Sequence, residues 1–268
     1  MIRPLIALAL ALLPVTAATE EPFIIVQSTT STENSGLFDQ ILPQFEQDSG
    51  IDVRVVAVGT GQAIRNAMNG DGDVLFVHSK DAEEQFVADG HGVSRADVMY
   101  NDFVIVGPEG DPAGISSLRN AATAFARIAQ AEWAFVSRGD DSGTHKAEMR
   151  LWAQTGIDVA AASGKWYREA GAGMGATLNT AIGMGAYVLT DRATWIAFGN
   201  KGAHSIALEG DPQLFNQYGI ILVNPAEHPA VKADLAQRFI DWILSPNGQA
   251  AIAEHMIDGQ QLFFPNAQ

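Results

Sequence analysis

The sequence predicts an α/β protein made of two small domains joined by strands rather than by a tether. Three observations carry this. Short β-branched or continuously apolar runs alternate with helix-like stretches almost throughout, the pattern of parallel sheets covered by helices. The chain has 268 residues, possible for one doubly wound domain but closer to two of ordinary size. No linker rich in proline, serine or charge interrupts the alternation, and no repeat or low-complexity segment stands out.

Taken in order, the apolar run 23–26 reads as a buried strand, and Leu37, Phe38, Ile41, Leu42 and Phe45 mark one face of a helix. Residues 51–58 are rich in β-branched side chains and read as a strand, followed by a helix that Gly59-Thr60-Gly61-Gln62 opens. The run 74–77 is wholly apolar, as expected of a strand covered on both faces. Ser79 then caps a polar helix over 80–88, and 99–106 is the next strand, ending in the turn-rich 107–112. A helix over 115–129, a strand over 133–137 and a helix over 146–154 follow. Beyond the glycine-rich 171–175, a helix over 176–184, a strand over 186–190 and an Asp191-capped helix are expected, then strands at 205–208 and 218–223. Two C-terminal half-helices, 231–244 and 249–255, are separated by Pro246 and Gly248. Met174, Met184, Trp152, Trp195 and Trp242 read as core.

Composition narrows the function. The formal net charge is −15, which disfavours nucleic acid and anionic membranes as partners. Cysteine is absent, so neither a disulfide framework nor a thiolate metal site can form. Residues 1–18 read as a secretory signal, with Arg3 as the positive region, an apolar 5–13 and the small Thr16-Ala17-Ala18 before cleavage. The apolar run is shorter than the ~20 residues a membrane span needs. The mature protein is expected to begin near Thr19, to be exported, and to carry −16, since Arg3 is the only charged residue removed.

One chemical signature recurs where strands turn into helices: at 28–32, 59–62, 138–144 and 171–177. Helix starts leave backbone N–H groups unpaired and partially positive, glycine admits close approach of a ligand, and hydroxyls add neutral donors. The first stretch, Gln27-Ser28-Thr29-Thr30-Ser31-Thr32, has five hydroxyls in a row; Thr60, Ser142, Thr144 and Thr177 supply the others. Ligands in open α/β sheets bind beyond the carboxyl ends of strands, where all four loops fall, so a shared cradle for a small oxyanion is the functional reading. An N-cap cluster with solvated neighbours accounts for the first stretch equally well. Arg138 is the only cation in the four loops; it could fork onto two anion oxygens or pair with Asp140 or Asp141. With the whole molecule acidic, local donors must do the binding.

Other constellations fail. The six histidines form no metal-binding spacing, and Gly171, Gly173 and Gly175 do not follow the dinucleotide fingerprint. Neither a phosphate-binding P-loop nor a nucleophile elbow occurs. Ser142 has no motif-assigned base, which argues against a secreted hydrolase; His145 reads as a helix-surface residue beside the site.

The blocks Ser28-Thr29-Thr30-Ser31-Thr32 with Ser35-Gly36-Leu37, Gly59-Thr60-Gly61, Asp73-Val74-Leu75-Phe76-Val77-His78, the run 100–108, the run 137–146, Gly173-Met174-Gly175-Ala176-Thr177-Leu178 and Tyr187-Val188-Leu189-Thr190-Asp191-Arg192 together resemble the periplasmic tungstate-binding proteins of ABC importers, the TupA family. The likeness covers nearly the whole mature chain; Ser28 stands where the family has threonine. It implies a type II periplasmic binding protein, two α/β lobes joined by two crossing strands: 19–102 plus 212–268 as one lobe, 103–211 as the other. It implies a tungstate or molybdate site at Thr30 and Ser31, with Thr29 nearby, Thr60, Arg138, Ser142 and Thr144, and backbone donors at Gly173, Met174 and Gly175. It further implies a monomeric carrier without cofactor or enzymatic activity, delivering to a membrane permease and its ATPase. A phosphate-binding protein is the alternative, since its Ser-Gly-Thr loop is similar. Phosphate carries a proton at neutral pH and can use an inward carboxylate, so the direction of Asp140 and Asp141 decides.

Overall fold

The computed structural model describes residues 22–267; the expected signal segment lies outside them. The chain runs β1 (Phe23–Thr29), α1 (Thr30–Asn34), α2 (Leu37–Ser49), β2 (Asp52–Val58), α3 (Thr60–Met68), β3 (Val74–Val77), α4 (Lys80–Ala88) and β4 (Gly92–Pro108). It continues with α5 (Ala121–Gln130), β5 (Phe135–Ser137), α6 (Gly143–Thr155), β6 (Tyr167–Glu169), α7 (Met174–Met184), β7 (Val188–Asp191), α8 (Arg192–Ala197), β8 (His204–Leu208), β9 (Phe215–Val223), α9 (Ala233–Leu244) and α10 (Pro246–Ala253).

The expected parallel sheets are mixed instead. β1 pairs in parallel with β2 and β3, and β5 with β6. The remainder is antiparallel: β9 lies against β3 and β4, and β4 also takes β7 and β8. The 17-residue β4 joins the halves. Its Asp102 faces Phe215 of β9, while the next residue, Phe103, faces Asp191 of β7. Arg192 fixes that change of partners with a bidentate pair to Asp102 at 2.6 and 2.7 Å and a contact to Glu209 at 2.6 Å.

Apolar packing follows the same division. Ile24, Phe76, Tyr218 and Phe239 belong to one buried cluster beneath β1, β3 and β9. Beyond Asp102, successive residues of β4 face opposite ways, as strand geometry requires. Phe103 and Ile105 join Phe125, Phe135 and Trp152 on one side, while Val104 and Val106 join Met174 and Trp195 on the other. That doubly covered strand explains an unbroken apolar run in the sequence.

Several expectations need correction. The helix expected over 115–129 starts only at Ala121, because Asn120 caps it by accepting from the Thr123 N–H. Ile115 and Ser116 instead donate to the Asp111 carboxylate at 3.0 and 2.9 Å. Ser79 stands at the start of α4 but makes no side-chain cap; its N–H donates to Glu83. Pro246 and Gly248 lie within α10, which Ser245 caps, so proline opens that helix at a position where its missing N–H costs nothing. Met184 is exposed rather than core.

Glu148 is buried among the aromatics of the second half and accepts from Trp152 Nε1 at 3.0 Å and the Tyr167 hydroxyl at 2.7 Å. Burial raises its carboxyl from 4.5 to about 7, against the pull of those hydrogen bonds. A raised carboxyl stabilises the fold fully below its unfolded value, and that stability is lost as pH climbs toward the folded one. Glu148→Gln keeps an acceptor and removes the titration. The difference in unfolding free energy between wild type and variant, read from denaturant titration, should therefore move in the variant's favour from pH ~4.5 to ~7, by about 3 kcal/mol in all, and level off above. A constant difference across that range would show that Glu148 titrates normally.

Candidate functional site

The hydroxyl run divides by what each proton does. Ser28 donates to the Phe76 carbonyl at 2.7 Å. Thr29 is the N-cap of α1, accepting from the Thr32 N–H, and its hydroxyl pairs with that of Thr32 at 2.8 Å. Ser28 is therefore committed to local structure, and Thr29 holds the start of α1 through its oxygen. Ser31 and Thr30 differ: they accept from Arg138, Ser31 from Nη1 at 3.1 Å and Thr30 from Nη2 at 3.4 Å. A hydroxyl that accepts still has a proton to donate, and neither gives it to a protein group.

Thr60 and Ser142 repeat the pattern. Thr60, in the first turn of α3, accepts from the Gly143 N–H at 2.8 Å. Ser142 caps α6 by accepting from the His145 N–H at 3.1 Å. The His145 ring is turned away; its Nδ1 accepts from the Asp141 N–H at 3.2 Å, so it does not serve as a base for Ser142. Two further groups at this place have no partner among the described residues: the Thr144 hydroxyl and Arg138 Nε, on side chains that are 0% and 2% exposed. Buried polar atoms left unpaired are costly.

These groups lie at one junction. Arg138, from the loop after β5, reaches α1; Gly143 of α6 reaches Thr60 of α3; and the start of α7 meets α1, since a Cβ on Gly173 would lie 3.4 Å from Thr30 Oγ1. First turns of α1, α3, α6 and α7 thus converge from both halves. Met174, whose side chain is in the core, and Gly175 are the first residues of α7, so their backbone N–H groups lie in its first turn. Thr177 does not join: its hydroxyl bonds back to the carbonyls of Ala172 and Gly173.

Carboxylates near the junction are occupied. Asp140 takes Arg138 Nη2 at 2.5 Å on one oxygen and the Ser142 N–H at 3.2 Å on the other. Asp141 turns outward to Arg65 and Lys146. Asp191, buried and pushed upward by that burial, takes the Thr194 N–H and hydroxyl. Sequence reasoning missed Asp191 as a neighbour of the site and read it only as a cap. It also left His78 without a role. Burial lowers His78 to about 4 despite a hydrogen bond from Nδ1 to Asn216 Oδ1 at 3.0 Å, with the Arg138 charge adding to the lowering. Because Asn216 Nδ2 donates to Asn101, its oxygen must accept, which assigns the proton of neutral His78 to Nδ1.

Asp140→Ala would leave a buried guanidinium with no counter-charge. A loss of about 3 kcal/mol in ligand-free stability is expected, read from thermal melting; an unchanged midpoint would mean that the pair is not what holds Arg138.

A protein-family model described as the PBP superfamily domain matches residues 16–247. The chain is 47% identical over 248 residues to the tungstate-binding protein TupA of Peptoclostridium acidaminophilum, covering 91% of this chain and 86% of that one. Among solved structures, it is 46% identical to the tungstate-binding protein TupA from Desulfovibrio alaskensis, with a TM-score of 0.78 over 92% of this chain and 100% of that chain. The structure of the tungstate ABC transporter from Geobacter sulfurreducens is 48% identical, with a TM-score of 0.79 over 87% of this chain and 98% of that chain. The chain belongs to the PBP superfamily and, within it, to the TupA family.

Proposed function

We propose that this protein captures a fully deprotonated tetrahedral oxyanion, tungstate first and molybdate second, and hands it to the permease of an ABC importer. One observation carries the reading. The junction of the two halves collects hydroxyl protons free to donate on Thr30, Ser31, Thr60 and Ser142, together with the Thr144 hydroxyl and Arg138 Nε, which have no partner among the described residues. A site so rich in donors suits an ion that only accepts. Singly protonated phosphate would favour a carboxylate placed to take its proton; Asp141 turns outward, and each oxygen of Asp140 and Asp191 already accepts from a protein donor.

The energetics agree. A dianion withdrawn from water costs several kcal/mol unless it is paired. One guanidinium and about six neutral donors, at roughly 1.5–3 kcal/mol for each charge-assisted bond, offset that cost. The net charge of −15 matters little, because charges beyond ~8–10 Å are screened. The choice of tungstate over molybdate rests on the TupA relatives, since the two ions have the same charge and shape.

The wider assignment rests on the same reading. Residues 19–102 with 212–268 form one lobe and 103–211 the other, supported by the exchange of strand partners at Asp102 and Phe103. The protein acts as a monomeric binding protein outside the cytoplasm, exported through 1–18, and not as an enzyme. Among the described residues no helix is long and apolar enough to cross a membrane.

Isothermal titration with tungstate, molybdate, sulfate and phosphate tests the reading. Tungstate should bind tightly, molybdate should compete, and phosphate should not; tight phosphate binding would overturn it. Arg138→Ala should abolish measurable tungstate binding with the fold intact. Thr144→Val, which keeps shape and removes one proton, should weaken it about 10- to 100-fold. Wild-type affinity in either variant would remove that residue from the site.

A further inference from the structure

We propose that Asp141 is a positioning residue for anion capture: it latches the two lobes together without touching the ligand. The inference rests on the oxyanion reading above. Asp141 sits in the left-handed region at φ 59, a conformation uncommon for a residue other than glycine. Its own lobe holds it there from two directions, Lys146 by one carboxylate oxygen and His145 Nδ1 by the backbone N–H. What remains points across the cleft. Its carbonyl accepts from the Gly61 N–H at 3.2 Å, and Oδ2 lies 3.5 Å from Arg65 Nη1. Gly61 and Arg65 both belong to α3, whose Ala63 and Ala67 are embedded in the core of the opposite lobe.

Gly61 fits this role. A Cβ there would lie 1.9 Å from Asp141 Oδ2 and 3.2 Å from its carbonyl oxygen, so the loop can land on α3 only because no side chain intervenes. The neighbouring contact from the Gly143 N–H to Thr60 depends on the same landing. The Asp141 side chain is 52% exposed, so it lies at the rim of the junction rather than among the donors.

The latch bonds form only when the lobes meet. They therefore raise the population of the binding-competent state and tighten every anion alike, whereas residues that touch the ligand discriminate between anions. Long-range electrostatics predicts the opposite sign: removing an acidic residue near the site should favour a dianion.

The test is calorimetry with sodium tungstate and sodium molybdate on wild type, Asp141→Asn and Arg65→Gln, at low salt and at ~1 M salt. Asp141→Asn is expected to bind tungstate about three- to tenfold more weakly, with the tungstate-to-molybdate ratio unchanged and the loss fading at high salt. Combining it with Arg65→Gln should add little. The ligand-free melting midpoint should stay close to the wild-type value, because the pairs of Asp141 with Arg65 and Lys146 are solvent-exposed and add little to stability. Tungstate binding by Asp141→Asn that equals or exceeds wild type would overturn the latch alone, as would a lowered ligand-free midpoint, which marks a merely structural residue. Failure of wild type to bind either anion would overturn the oxyanion reading and the latch with it.

Discussion

Arg138 brings a full positive charge to a nearly sealed junction, and its surroundings hold that charge without cancelling it. Asp140 pairs with Nη2 at 2.5 Å, Thr30 accepts from the same nitrogen and Ser31 from Nη1, and Nε has no partner among the described residues. A buried cation completely paired would have nothing left for a ligand, and one completely bare would destabilise the fold. The intermediate arrangement stores part of its hydrogen-bonding capacity for an incoming anion. The hydroxyls of Thr30, Ser31, Thr60 and Ser142 follow the same logic: their oxygens accept from the protein and their protons are left to donate, while Thr144 has neither partner among the described residues.

The fold makes this arrangement possible by bringing helix starts from separate sequence regions to one place. β1 and β2 deliver the first turns of α1 and α3, and the loops after β5 and β6 deliver those of α6 and α7. Each start contributes backbone N–H groups with partial positive charge, local donors for an anion in a chain that is acidic as a whole. β4 and β9 keep the two halves in register, and the Arg192–Asp102 pair marks where β4 leaves one sheet partner for the next.

Much of this was legible in the sequence because it depends on local chemistry. Periodicity located most of the strands, though not β6 or the first half of β4, and the clustering of hydroxyl and glycine residues at strand ends located the four loops. Arg138 was identifiable as the lone cation among them. What sequence could not supply was the direction of each proton. Thr29 and Thr30 are adjacent and chemically alike, yet one caps a helix and the other faces Arg138, because a strand alternates its side chains and the helix begins between them. Asp140 and Asp141 are likewise adjacent, and only the left-handed backbone at Asp141 sends the second outward. The late start of α5 escaped notice because the Asp111 carboxylate captures the Ile115 and Ser116 N–H groups, a local competition that hydrophobic periodicity does not register.

Anomalous diffraction at a tungsten absorption edge, on crystals grown with tungstate, tests the central claim most directly. The account expects a single strong peak between the lobes, within hydrogen-bonding reach through its oxygens of Arg138 Nε and the Thr144 hydroxyl, with Thr30, Ser31 and Thr60 donating around it. A peak elsewhere, or one whose oxygens leave Arg138 Nε and Thr144 still unpaired, would contradict it.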